Sequence, residues 1–208
     1  MNRKLLNAAI TLAVIAGIVA LFIPTLLRRN ISGNETRMIG RATSIATAQE
    51  RFKQAVLRDL DADRTGEYGY FQHLAERGFL DERFAESARE HGGDVVLDGY
   101  RFRMFLPLAD GSPRREAHPL PSFDGADANN QETNWVCYAW PDELGVTGNR
   151  SGVVNQEGQF YQCSNTVHGW SGAAGAPTGA EAFFDLDDMT GPIVVGAPSA
   201  DGQTWVPA

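Results

Sequence analysis

Cysteine and histidine are scarce in this sequence, with two of the first and four of the second in 208 residues. Cys137 and Cys163 have no second pair beside them, so they do not make a zinc motif. His73, His91, His118 and His168 are widely spaced, and no H-E-x-x-H occurs. A G-x-S-x-G nucleophile elbow is also missing. With these signatures absent, the protein is expected not to be an enzyme. Basic residues are short too, with 18 Lys and Arg against 26 Asp and Glu. Four of the basic residues, Arg3, Lys4, Arg28 and Arg29, lie in the first 29 positions, which leaves 14 against 26, a net of −12, over 30–208. A nucleic-acid partner would need a basic face, so none is expected. No internal repeat of fixed period occurs.

Charge is absent from residues 5–27, LLNAAITLAVIAGIVALFIPTLL. A helix of that length covers ~34 Å at ~1.5 Å per residue, against ~30 Å for a bilayer's hydrocarbon core. A cleaved signal peptide would have a shorter apolar region and a small-residue cleavage site. A buried core helix is the third reading. The length of the run and its stop at Arg28-Arg29 favour a retained anchor. The expectation is therefore an anchor helix over 1–29, with the lipid bilayer as partner through residues 5–27. The protein would be single-pass in the inner (cytoplasmic) membrane, its C-terminal domain periplasmic or extracellular. Two cations on each side nearly balance the positive-inside rule; the short N-terminal tail decides the orientation.

Beyond the anchor, Met38, Ala42, Ile45, Ala48, Phe52, Val56 and Leu60 recur at steps of three and four. That spacing predicts one amphipathic helix to about residue 60. Ser32-Gly33-Asn34-Glu35 reads as a capping box that would restart the helix after a break. Asp59-Leu60-Asp61-Ala62-Asp63-Arg64-Thr65-Gly66-Glu67 ends it. Alternate carboxylates in a turn can converge on a hard cation, so Asp59, Asp61, Asp63 and Glu67 are the candidate metal ligands and calcium the one candidate cofactor. The match to an EF-hand loop is partial: Arg64 replaces the glycine, and Tyr70 the bidentate glutamate. A solvated acidic turn is the other reading. The acidic tail at Asp185, Asp187 and Asp188 is a rival metal site.

Two short helices follow, over 70–77 and 81–91, and then the period changes. Alternation over 100–106 predicts a half-buried strand. Residues 107–134, rich in Pro, Gly, Asp and Asn, read as a long loop. Further strands are expected over 135–140, 151–155 and 159–163, the last two joined as a hairpin through Gln156-Glu157-Gly158. In a simple meander Cys137 and Cys163 stand two strand spacings apart, ~9–10 Å, beyond the ~7 Å reach of a disulfide. Trp135, Tyr138, Trp140 and Tyr161 read as core packing, with a sugar-binding platform as the alternative. Residues 164–180 read as loose, and the segment beyond has no clear place.

Several of these residues resemble the type IV pilin and type II secretion pseudopilin family. Ile23-Pro24-Thr25-Leu26-Leu27-Arg28 and the following Asn34-Glu35 look like the pilin stem, as does Ile45-Ala46-Thr47-Ala48-Gln49. Gly145-Val146-Thr147-Gly148-Asn149-Arg150-Ser151 and Asn155-Gln156-Glu157-Gly158 look like the hairpin of pilin heads. Asn2, Arg3 and Lys4 stand at the peptidase site, and Asn7 where the family has its stem glutamate. This departure implies an uncut anchor. The resemblance implies an α+β fold of type IV pilin-like plan, a long N-terminal membrane-spanning helix packed on a small antiparallel β-sheet head. The head would occupy 30–163 and an extended C-terminal extension 164–208. It also implies a structural protein that assembles with other envelope or secretion proteins or with copies of itself. A membrane-tethered extracytoplasmic module that binds calcium or a glycan is the alternative.

Overall fold

A computed structural model describes residues 3–122 and 125–208; within 3–27 it describes the backbone and the Leu12 side chain. The longest element is α1, Arg3–Gln54. The expected span 5–27 falls inside it, and its side chains, Leu12 apart, lie outside the described residues. Among the described residues no helix is long and apolar enough to cross a membrane. Beyond residue 27 the described face of α1 is one-sided. Met38, Ala42, Ile45, Ala48 and Phe52 are buried as one stripe, while Arg28, Arg29, Thr43, Ser44, Thr47, Glu50 and Arg51 are exposed. An apolar stripe on one side suits a sheet as partner, not lipid all round. The long transmembrane stem, and with it the single-pass inner-membrane placement, is corrected on this finding.

No break interrupts α1 at Ser32; its carbonyl accepts from the Thr36 hydroxyl at 3.0 Å, as a mid-helix residue does. Asn34 and Glu35 instead dock the turn before β5: Asn34 Nδ2 donates to the Thr147 carbonyl at 2.8 Å, and Glu35 Oε1 accepts from the Asn149 N–H at 3.1 Å. The helix also stops earlier than the apolar spacing predicts. It ends at Gln54, Val56 turns to φ 48°, and Val56 and Leu60 are exposed.

After the acidic turn come α2, Phe71–Glu76, and α3, Glu82–Glu90. Asp81 caps α3 by accepting the Arg83 N–H at 3.0 Å. Among the described residues the strands are β1 Val95–Leu97, β2 Tyr100–Pro107, β3 Pro113–Arg115, β4 Val136–Pro141, β5 Ser151–Asn155, β6 Phe160–Cys163 and β7 Val206–Pro207. They form one sheet in the order β1-β2-β4-β5-β6-β7, with β3 also beside β2, and every pairing is antiparallel. Asp98 and Gly99, both at positive φ, make the tight β1–β2 turn. A fourth helix, α4, Ala128–Thr133, lies inside the stretch read as a loop, as does β3.

Both faces of the sheet are covered. Helices α1 to α3 cover one, over Tyr100, Phe102, Met104, Trp135, Cys137 and Phe160. Residues 164–208 cover the other: Trp170, Phe183, Met189, Ile193 and Trp205 pack on Phe105, Tyr138, Trp140 and Val153. The segment read as loose thus closes a second core, and its end adds β7 to the sheet. Burial on both sides is why β4 reads as an unbroken apolar run.

Candidate metal centre

The acidic turn is pressed onto the C-terminal end of α1. Gly66 sits so close that a Cβ there would lie 2.2 Å from the Lys53 carbonyl oxygen. Arg58 holds the turn from beneath. Its carbonyl accepts the Glu67 N–H at 3.1 Å, and its guanidinium donates to the Tyr68 carbonyl at 2.8 Å and to Gln131 Oε1. The Tyr68 N–H donates to the Gln131 carbonyl at 2.9 Å, and Gln131 Nε2 donates to the Pro107 carbonyl at 2.8 Å. These bonds fix α4 beside the turn. Asp127 caps α4 through the Asn130 N–H at 2.8 Å.

That placement brings five carboxylates together. One oxygen each of Asp59, Asp61 and Glu67 lie within 4.8 Å of one another, and so do one each of Asp61, Asp63 and Glu132. These acidic clusters could hold a metal ion. Asp59, Asp61, Asp63 and Glu67 are the residues expected from sequence; Glu132 is new. It lies three strands further along the chain, and only the Asp127 capping signal could have placed a helix there. Tyr70, at the EF-hand glutamate position, is buried and donates its hydroxyl to the Arg114 carbonyl at 3.0 Å, so it takes no part. Arg64 occupies the expected glycine position at φ 76°.

Two carboxylate oxygens of these residues are buried without a hydrogen-bond partner. Glu67 is fully buried; its Oε1 accepts the Leu60 N–H at 2.6 Å, and its Oε2 has no hydrogen-bond partner. Glu132 is 7% exposed, and its Oε1 is likewise buried without a partner. An ionised carboxylate taken out of water costs on the order of several kcal/mol unless compensated. Glu132 feels this burial and the neighbouring charges. Burial, then the charges of Asp63, Asp61 and Glu67, push its carboxyl above the ordinary range, while Lys53 pulls it down. Arg58 faces Glu67 electrostatically, and burial holds its own pKa below the ordinary value.

Other candidates separate. Asp185 accepts from the Asp187 N–H and Asp188 from Thr190; among the described residues none of the three tail aspartates belongs to a metal-holding group. Trp135, Tyr138, Trp140 and Tyr161 are all buried, so they form core and offer no platform to a sugar. The histidines are dispersed. His73 Nδ1 accepts the Tyr70 N–H at 3.1 Å, His91 contacts Ser87, His118 is exposed, and His168 stacks on Trp170.

No family model matches the chain, and neither a curated protein nor a solved structure matches it.

Proposed function

We propose that the protein is a structural module that works by assembling with other proteins or with copies of itself, and that calcium locks its long helix to its head. The observation that carries this reading is the pair of buried, unpartnered carboxylate oxygens of Glu67 and Glu132 inside clusters of aspartates. Oxygen-only donors on a flexible turn suit a hard cation that tolerates irregular geometry, which is calcium rather than a softer metal. The long helix packed on an antiparallel sheet, and the stem and hairpin motifs, support the structural role. The position of the site supports the locking role, since the turn touches α1 at Lys53 and α4 through Gln131.

The test is a thermal melt of the full chain with calcium chloride and with chelator. A ligand at a hundredfold excess over Kd adds about 2.7 kcal/mol, which is roughly 5–10 °C for a protein of this size. Calcium should raise Tm by that order and chelator should remove the gain. The Asp61→Asn, Asp63→Asn double variant should keep its fold and lose the response. Superimposable melts with calcium and chelator would remove the metal from this reading.

A further inference from the structure

We infer that the junction holds two calcium ions, bridged by Asp61, an inference that rests on the calcium reading above. Calcium–oxygen bonds run about 2.3–2.6 Å, so oxygens sharing one ion lie within about 5 Å of each other. The triad Asp59, Asp61 and Glu67 meets that condition, and so does the triad Asp61, Asp63 and Glu132. The five carboxylates do not meet it as one group. Asp61 alone belongs to both triads, and a carboxylate can bind a cation on each side.

A second observation is independent of these separations. Each triad includes a residue with a buried carboxylate oxygen that has no partner, Glu67 through Oε2 in one and Glu132 through Oε1 in the other. The two come from different parts of the fold, Glu67 from the turn after α1 and Glu132 from α4. A single ion in the turn would compensate Glu67 and leave Glu132 buried, unpartnered and facing Asp61 and Asp63. A second ion resolves that. It also gives the two ions different tasks: the first shapes the turn, and the second ties the turn to α4.

The test is isothermal titration of the chelator-stripped full chain with calcium chloride, read as stoichiometry. Two ions per chain are expected. Glu132→Gln should bind one, and Asp63→Asn, which alters an exposed side chain, should also bind one. A stoichiometry of one in the unaltered chain overturns the two-ion inference and leaves the calcium reading standing. Two ions retained in Glu132→Gln overturns it as well. Loss of both ions in Glu132→Gln and in Asp63→Asn overturns it too, because the carboxylates would then act as one centre. No binding by the unaltered chain overturns both readings.

Discussion

Cys137 and Cys163 face opposite sides of the sheet. Cys137 lies in the core under α1 to α3, and Cys163 in the core under the C-terminal segment. The register agrees: Cys137 stands opposite Val154, and Cys163 opposite Ser151, with β5 between them. Both thiols are free and buried. Burial pushes the Cys163 thiol up to about 11 and the Cys137 thiol further. Thiolate is the reactive form, so the native protein should label slowly with a maleimide and take up two labels only on unfolding. Non-reducing mass mapping that returned a Cys137–Cys163 peptide would overturn the strand order.

A second expectation concerns the seat of α1 on the head. Gln49 is fully buried and pairs through both ends of its amide with one backbone residue, its Nε2 also reaching the Met104 sulfur at 3.4 Å. Its Nε2 donates to the Gly69 carbonyl at 2.7 Å, and its Oε1 accepts the Gly69 N–H at 3.0 Å. Gln49→Ala strands a buried donor and a buried acceptor, at a cost of about 1–3 kcal/mol for each group. Chemical denaturation should show a loss of at least about 2 kcal/mol. An unchanged midpoint would show that water serves Gly69 equally well.

How much of this could be read from the sequence differs element by element. The buried stripe from Met38 to Phe52 was legible because helical spacing is a local signal. Its end was not. Val56 and Leu60 continue the spacing, and only the packing of Gly66 on Lys53 and the Arg58 contacts stop the helix. The strands of the meander were legible from alternation and turns. The second core was not, because Trp170, Phe183 and Trp205 are separated by small and polar residues and become neighbours only on the sheet. The aspartates of the turn were visible as a local pattern. Glu132 was not, since its helix lies in a Pro- and Gly-rich stretch and its proximity to Asp61 is purely tertiary. Hydropathy alone reads the charge-free run at 5–27 as a membrane span, whereas among the described residues no helix is long and apolar enough to be one.

Stability should fall as pH rises from 6.5 to 8, and Glu116 is the cause. It is fully buried, and Oε2 accepts the Phe71 N–H at 2.7 Å and Oε1 the Gln72 N–H at 3.1 Å. Burial outweighs those bonds and pushes the carboxyl from 4.5 up to about 8, with the Asp94 charge adding to the shift. The folded state therefore holds a proton that the unfolded chain releases. That contribution is complete below pH 4.5 and is lost as pH rises through about 8. His73 has the opposite sign. Burial, then Arg58 and Arg77, lower it from 6.5 to about 4, so its contribution is complete above pH 6.5 and is lost as pH falls through about 4. Between 6.5 and 8 only Glu116 of these two acts. Urea unfolding across that window should show the decline, and Glu116→Gln should flatten it whatever its constant offset. An equal slope in the variant would assign the decline to another group.

Gly66→Ala should weaken calcium binding although it removes no carboxylate. A Cβ at Gly66 would sit 2.2 Å from the Lys53 carbonyl oxygen and 3.1 Å from the Lys53 carbon and the Val56 Cα. All three are backbone atoms at or just past the end of α1, so no side chain can rotate away. The turn must lift from the helix. Glu67 is the next residue, and its N–H is held by the Arg58 carbonyl. Lifting the turn therefore moves Glu67 relative to Asp59 and Asp61, and breaks the match to α4 made through Tyr68 and Gln131. Groups that only orient metal ligands typically carry roughly 10–100-fold of affinity, and a loss of that size is expected in a calcium titration of the full chain. The same variant should melt lower even with chelator present, because the packing is lost without the ion. A drop in Tm with calcium affinity unchanged would mean that the carboxylates keep their arrangement when the turn is released, and that α1 does not set the geometry of the site.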